Sequence, residues 1–224
     1  MSLIENFRNI FKIEDLRDRI LYVVGVLMVY RIGSYVTMPG VDASLLTSQQ
    51  GDASSLLGLF DLFVGGAFSR AGVFALGIMP YITAAIIIQL MGAAVPYFQK
   101  LQREGEEGRR KINRLTRYGT VGITAVQAIG FAINLIATSP DAIVVTNATF
   151  IFTSIVVLTA GTTFVMWLGE RITDRGIGNG ISLLIMIGII ARLPLSFAQE
   201  VVSRVTEQAG GLVMLLVEIV ILFV

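Results

Sequence analysis

The sequence predicts an all-α integral membrane protein, a polytopic helix bundle. Three observations carry this reading. Of 224 residues, 54% are hydrophobic and only 15% are charged, where soluble domains carry about 25% charged residues; the mean hydropathy is +0.77. The apolar residues are gathered into blocks of roughly 20, the length that crosses a hydrocarbon core of about 30 Å. The blocks do not alternate polar with apolar residues, as the strands of a membrane barrel do.

Composition also excludes chemistry. The chain has no cysteine and no histidine, which removes disulfides, thiolate chemistry and imidazole acid–base work and leaves only oxygen ligands for a metal. No cofactor is expected. A net charge of +1 gives no global basic field toward nucleic acid. Residues 1–19 carry eight charges and no apolar core, so no cleavable signal peptide is expected there.

The elements follow in order. Residues 1–19 are loosely amphipathic, with Ile4, Phe7 and Phe11 near one helical face, and read as a cytoplasmic helix on the membrane surface. The first span is expected near Ile20–Met38, with Arg31 toward its outer end and able to snorkel outward. Residues 39–72 are polar and Gly/Ser-containing but end in an apolar run; the second span follows near Val73–Val95. A charged loop, KLQREGEEGRRKINRLTR, leads to a third span near Tyr118–Ala137 and a fourth near Ala148–Leu168. GERITDRGIGNG separates the fourth from a short fifth, Ile181–Ala191, extended back toward Ile177. A sixth run starts near Leu212 and stops at Val224. Its thirteen residues reach only about 20 Å as helix, so a fragment of a longer protein is expected. Lys and Arg concentrate at 1–19 (four) and 100–117 (seven), which predicts a cytoplasmic N-terminus.

Four features invite a functional reading. The stretch LLGLFDLFVGGAFSRAG, residues 56–72, is apolar enough to want burial but too interrupted to cross, and such backbone survives at membrane depth only inside protein or beside a water-filled cavity. In IMPYITAAIII, residues 78–88, Ile78, Ile82 and Ile86 fall within an arc of about 80° on a helix. Stiff β-branched side chains in a ring can form a dry constriction, although lipid contact or plain packing is the commoner role of such a stripe. Gly176, Gly178 and Gly180 alternate, but with no preceding strand and the wrong spacing for a nucleotide loop; a tight turn re-entering the membrane explains them better. The basic loop at 100–117 reads either as ordinary positive-inside topology or as a docking surface for an acidic or RNA-bearing partner. Gln89 and Gln127 are polar residues within spans, Glu218 lies in the sixth run, and Asn147-Ala148-Thr149 is a short sequon match of little weight.

RIGSYVTMPGVD at 31–42, SRAGVFALGIMPYITAAIIIQL at 69–90, GEEGRRKINRLTRYGT at 105–120 and WLGERITDRGIGNGISLLI at 167–185 each resemble the SecY family of protein-conducting channels. Four such segments in the right order and spacing make the resemblance specific over essentially the whole chain. It implies one half of an inverted-repeat channel: residues 20–191 as the five-helix N-terminal half, and 192–224 as an external loop and truncated sixth helix. It implies a pore ring containing Ile82, Ile86 and Ile189. It implies a short plug helix at 57–70 carrying Leu57, Leu59, Phe60, Leu62, Phe63 and Phe68, with Gly65 and Gly66 as hinges and Ile78 as a neighbour. A lateral gate would include Ile87 and Gln127, and Arg109, Arg110 and Lys111 would have a secondary docking role.

The implied function is passage of unfolded secretory polypeptides across the bacterial cytoplasmic membrane and lateral insertion of membrane helices into the lipid bilayer, without covalent catalysis. The implied partners are SecE and SecG, the SecA motor ATPase or the ribosome, signal sequences and nascent polypeptides, and the remaining C-terminal half of the channel. The rival readings are half of a secondary transporter with a small-molecule site at broken helices, and a structural subunit without a pore. The first needs polar ligands near the midplane, where spans two and five offer mostly Ile, Leu, Ala and Gly.

Overall fold

The computed structural model describes residues 13–46, 61 and 63–191. The surface helix expected from residue 1, the plug residues Leu57, Leu59, Phe60 and Leu62, and the loop and sixth span at 192–224 lie outside these.

Six helices of eight residues or more organise the described chain: α1 (Glu14–Gly33), α2 (Met79–Ala94), α3 (Pro96–Arg103), α4 (Glu106–Thr138), α5 (Asn147–Arg175) and α6 (Gly180–Ile190). A single turn at Ala43–Leu46 and a 3-10 turn at Pro140–Ala142 complete them. Helices α4 and α5 are each long and apolar enough to cross a membrane, and α2 with α3 forms a bent pair that would count as a third span. At 16 and 11 residues, α2 and α6 reach only about 24 Å and 16 Å. They sit beside longer neighbours, as half-length helices at membrane depth must.

Helix boundaries depart from the hydropathy reading in consistent ways. The expected loop at 100–117 is helical, comprising the end of α3 and the first turns of α4. Lys, Arg and Glu are good helix formers, so charge ends a hydrophobic span without ending a helix. Glu106 and Glu107 in the first turn suit the positive end of the α4 dipole. Likewise residues 14–19 are already the start of α1 rather than a separate surface segment. Helix α2 begins at Met79, not Val73, with Pro80 in its first turn, where a missing N–H costs least. Between α2 and α3 the path bends by 98°. Val95 there is extended (φ −109°, ψ 122°) and precedes Pro96, which disfavours helical backbone at the residue before it. Helix α6 starts at Gly180 without reaching Ile177. Asn179 caps it, its Oδ1 accepting from the N–H groups of Ile181 (3.0 Å) and Ser182 (3.4 Å).

The frame is the α4–α5 pair, with α2 against α4 and α6 against α5. Thr116, Thr120 and Thr124 recur every fourth residue of α4, all buried. Each hydroxyl donates to the carbonyl four residues back, at 3.0, 2.8 and 2.7 Å, so small polar side chains line a buried face without leaving donors unpaired. Arg117 Nε donates to Glu170 Oε1 at 2.8 Å and ties α4 to α5.

Two apolar cores result. One gathers Met38, Ala71, Phe131, Phe150 and Leu158. The other joins Tyr30, Phe74, Ile78, Val165, Ile172 and Leu184. At the first core, two connections are stitched together by backbone bonds. Met38 N–H donates to Ala71 O (2.9 Å), Val73 to Val36 (2.8 Å), Asp42 to Ala142 (2.8 Å) and Val144 to Gly40 (3.1 Å). These are the connections 39–72 and 138–147 that the alternation of spans places at one end of the bundle.

Candidate functional site

The functional candidates lie on α2, on α6, and on the run between Asp61 and Ile78. On α2 the buried positions are Pro80, Ala84 and Gly92. Ile82 and Ile86 stand about 160° from Ala84 on either side, and so share the opposite face. Ile82 is half-buried against the second core, and Ile86 is 50% exposed. On α6 the buried positions are Gly180, Leu184 and Gly188, and Ile189 is 40% exposed beside exposed Met186 and Ile190. Ile86 and Ile189 belong to neither core, which frees both side chains to face a passage or a partner.

A short helix over 57–70 is expected; of the described residues, Asp61 and Phe63 are helical and residues 64–70 run as successive turns. Gly65 (φ +67°) and Gly66 (φ +91°) supply the reason, for both adopt left-handed backbone that a right-handed helix cannot contain. The loop is nevertheless ordered by its own groups. Asp61, itself buried, accepts the Ser69 N–H at 3.0 Å and the Ser69 hydroxyl at its other oxygen, and its carbonyl accepts the Gly66 N–H at 3.0 Å. Val64 and Ala67 are buried, Phe63 is exposed, and Phe68 meets Phe131 edge to face at 5.0 Å. Ile78 lies in the second core, and its neighbour Gly77 faces Val64.

The loop is seated on α6. A Cβ on Gly188 would lie 2.5 Å from Phe63 O, and one on Gly65 would lie 3.1 Å from Gly188 O. The segment thus rests one residue before Ile189. Arg31 meets the loop at the same glycine. Rather than reaching to water, it donates from Nη1 to Gly65 O and from Nη2 to the Tyr35 hydroxyl, each at 3.1 Å. The Tyr35 ring also carries the guanidinium groups of Arg31 (5.1 Å) and Arg70 (4.6 Å). Sequence reading singled out neither the Arg31–Gly65 bond nor the Gly188 seat. A charged residue at the end of a span was the available signal for the first; nothing in IGI marks the second.

Of the gate candidates, Ile87 is exposed on α2 and Gln127 half-buried on α4, two helices that pack together. Arg109, Arg110 and Lys111 are exposed on the first turns of α4. Arg110 pairs with Glu106 (3.5 Å) and Lys111 with Glu104 (3.4 Å), exposed contacts of small energetic weight. Outside the spans, the Ser44 hydroxyl (2.6 Å) and N–H (3.0 Å) both donate to Asp42 Oδ1 and hold its carboxyl below the ordinary aspartate range.

A helical bundle with two membrane-length helices, a sharply bent pair and a turn-built loop seated on a short apolar helix defines a polytopic membrane protein with broken helices. Comparison with known proteins makes the class specific. Residues 72–224 match the SecY family model. The protein translocase subunit SecY of Escherichia coli K12 is 45% identical over 213 residues, covering 92% of this chain and 47% of that relative. The SecY subunit of Haemophilus influenzae is 43% identical over 208 residues, with the same coverage. That of Buchnera aphidicola subsp. Acyrthosiphon kondoi is 46% identical over 213 residues, covering 59% of the relative. The chain belongs to the SecY family. It spans about half the length of the curated relatives it matches.

Proposed function

We propose that this chain forms the N-terminal half of a protein-conducting channel in the bacterial cytoplasmic membrane. It passes unfolded secretory polypeptides and releases apolar helices sideways into lipid. The observation that carries the proposal is the 45% identity to a protein translocase subunit over 92% of the chain.

In this reading Ile82, Ile86 and Ile189 contribute one side of a dry ring that fits around a moving chain and limits ion leak. The loop 61–70, seated against α6, obstructs the resting passage, with Gly65 and Gly66 as its hinges. Ile87 and Gln127 line the side from which apolar segments leave for lipid. The channel makes and breaks no covalent bonds, so its driving energy comes from partners: SecA or the ribosome on the cytoplasmic side, where Arg109, Arg110 and Lys111 offer a secondary contact. SecE, SecG and the second half of the channel complete the assembly. The N-terminus lies in the cytoplasm, in keeping with the basic residues at 1–19 and 100–117.

The absence of native cysteine in this chain makes the ring testable. Single cysteines are placed at Ile82, Ile86 and Ile189, and at the exposed α5 residue Val156 as a control, in the complete channel. A secretory polypeptide carrying one cysteine is then stalled in transit. Disulfide capture at the three isoleucines and not at Val156 is expected; equal capture at all four positions, or none, would sink the ring.

A further inference from the structure

We propose that Arg31 is a positioning residue, a latch on α1 that keeps the loop 61–70 seated against α6 in the resting channel. The inference rests on the channel reading and adds the contact that must break before the loop can leave.

The geometry is a close meeting of three segments. A Cβ at Gly65 would lie 2.8 Å from Arg31 Nη1 and 3.1 Å from Gly188 O, so the Arg31 guanidinium and the Gly188 backbone both crowd the same flank of Gly65. Arg31 donates to Gly65 O across 34 residues of sequence. The same side chain stacks on Tyr35, whose ring also carries Arg70 at the far end of the loop. One arginine therefore takes part in holding the loop at both ends. A planar fork with several donors suits two acceptors at once, which a lysine ammonium reproduces only partly.

The loop is also built to move as a unit. Asp61 binds the Ser69 N–H and hydroxyl and, through its carbonyl, the Gly66 N–H. These bonds are internal and need not break when the loop shifts. Directed contacts that reach 65–70 from α1, the segment after it and α4 include Arg31 on Gly65, Tyr35 on Arg70, and Phe131 on Phe68. Among these, the Arg31 bond is charge-assisted and only partly buried, strong enough to bias a two-state position and accessible enough to break. If Arg31 only stabilised the end of α1, its loss would lower stability without changing where the loop rests.

The test uses the complete channel with its partner subunits, cysteine-free except for a cysteine replacing Val64, which is buried while the loop is seated. Labelling of that cysteine by a membrane-impermeant maleimide, applied on the side opposite the basic loop, reports release of the loop. Arg31→Met is expected to speed labelling about tenfold, the shift that loss of one charge-assisted hydrogen bond produces. Arg31→Lys should fall between Met and the parent. Gly188→Ala should also speed labelling with Arg31 intact, because its Cβ would meet Phe63 O at 2.5 Å. Ile86→Gly should raise ion conductance in planar bilayers while labelling stays at the parental rate. Parental labelling rates in Arg31→Met overturn the latch. If that variant fails to assemble, parental rates in both Arg31→Lys and Gly188→Ala overturn it. An Ile86→Gly channel that does not leak overturns the channel reading, whatever the labelling shows.

Discussion

The α4–α5 pair and the run from Asp61 to Ile78 are held by different means. The pair is regular helix, with the hydroxyls of Thr116, Thr120 and Thr124 paired inside α4 and Phe131, Phe150 and Leu158 sharing one core. Its cohesion is spread over many small dispersion contacts, and no single one decides it. From residue 64 the run is a chain of turns, with left-handed backbone at Gly65, Gly66, Ala71 and Gly77. Its later residues Ala71, Phe74 and Ile78 join the two cores, and directed bonds to Arg31, Val36 and Met38 fix its position. The difference separates a frame from a seated part. A frame should lose stability when cut, and a seated part should lose its place.

The comparison can be broken at either region. Leu158→Ala empties a fully buried site in the frame. Lipid tails are as apolar as leucine, so little transfer energy is lost and the packing defect remains, about 2 kcal/mol. A clear drop in the thermal midpoint of the complete channel in detergent is expected; an unchanged midpoint would mean that α4–α5 is not the frame. Phe68→Ala removes the edge-to-face contact with Phe131 from the loop. A stability loss of about 1 kcal/mol is expected, with a resting ion leak out of proportion to it. Should the midpoint fall as far as in Leu158→Ala without any leak, the loop belongs to the frame. The smallest effect is at Asp42, which is exposed at the stitched end. Its pKa is lowered on folding by the Ser44 hydroxyl and N–H. Its contribution is therefore present above the ordinary aspartate range and fades as pH falls through the lowered value. Asp42→Ala should flatten that part of the acid limb of a stability–pH curve and leave neutral pH nearly unchanged.

Much of the helical layout was legible in the amino-acid order. The apolar runs mark the cores of α1, α2, α4, α5 and α6, because a hydrocarbon environment demands long uninterrupted apolar stretches. Pro80 in the first turn of α2 was legible for a similarly local reason. The helix ends were less so. Charged residues at 14–19 and 106–117 are compatible with helix and with loop alike, and hydropathy reports only where the oil begins. Of the candidate site, the stripe Ile82–Ile86 was visible as periodicity, while its selection over an ordinary lipid face came from resemblance to a family.

By itself, the sequence determined the membrane class, the number and order of the described apolar helices, and the family, since each depends on local composition or on recognisable order. Tertiary structure decided that residues 64–70 run as a loop of turns, that Gly188 provides its seat, and that Arg31 turns inward to hold Gly65. The physical reason is distance along the chain. A bond between residues 31 and 65, or a close approach of 65 to 188, has no period and no composition. It exists only once the helices have packed and left one backbone carbonyl facing one guanidinium.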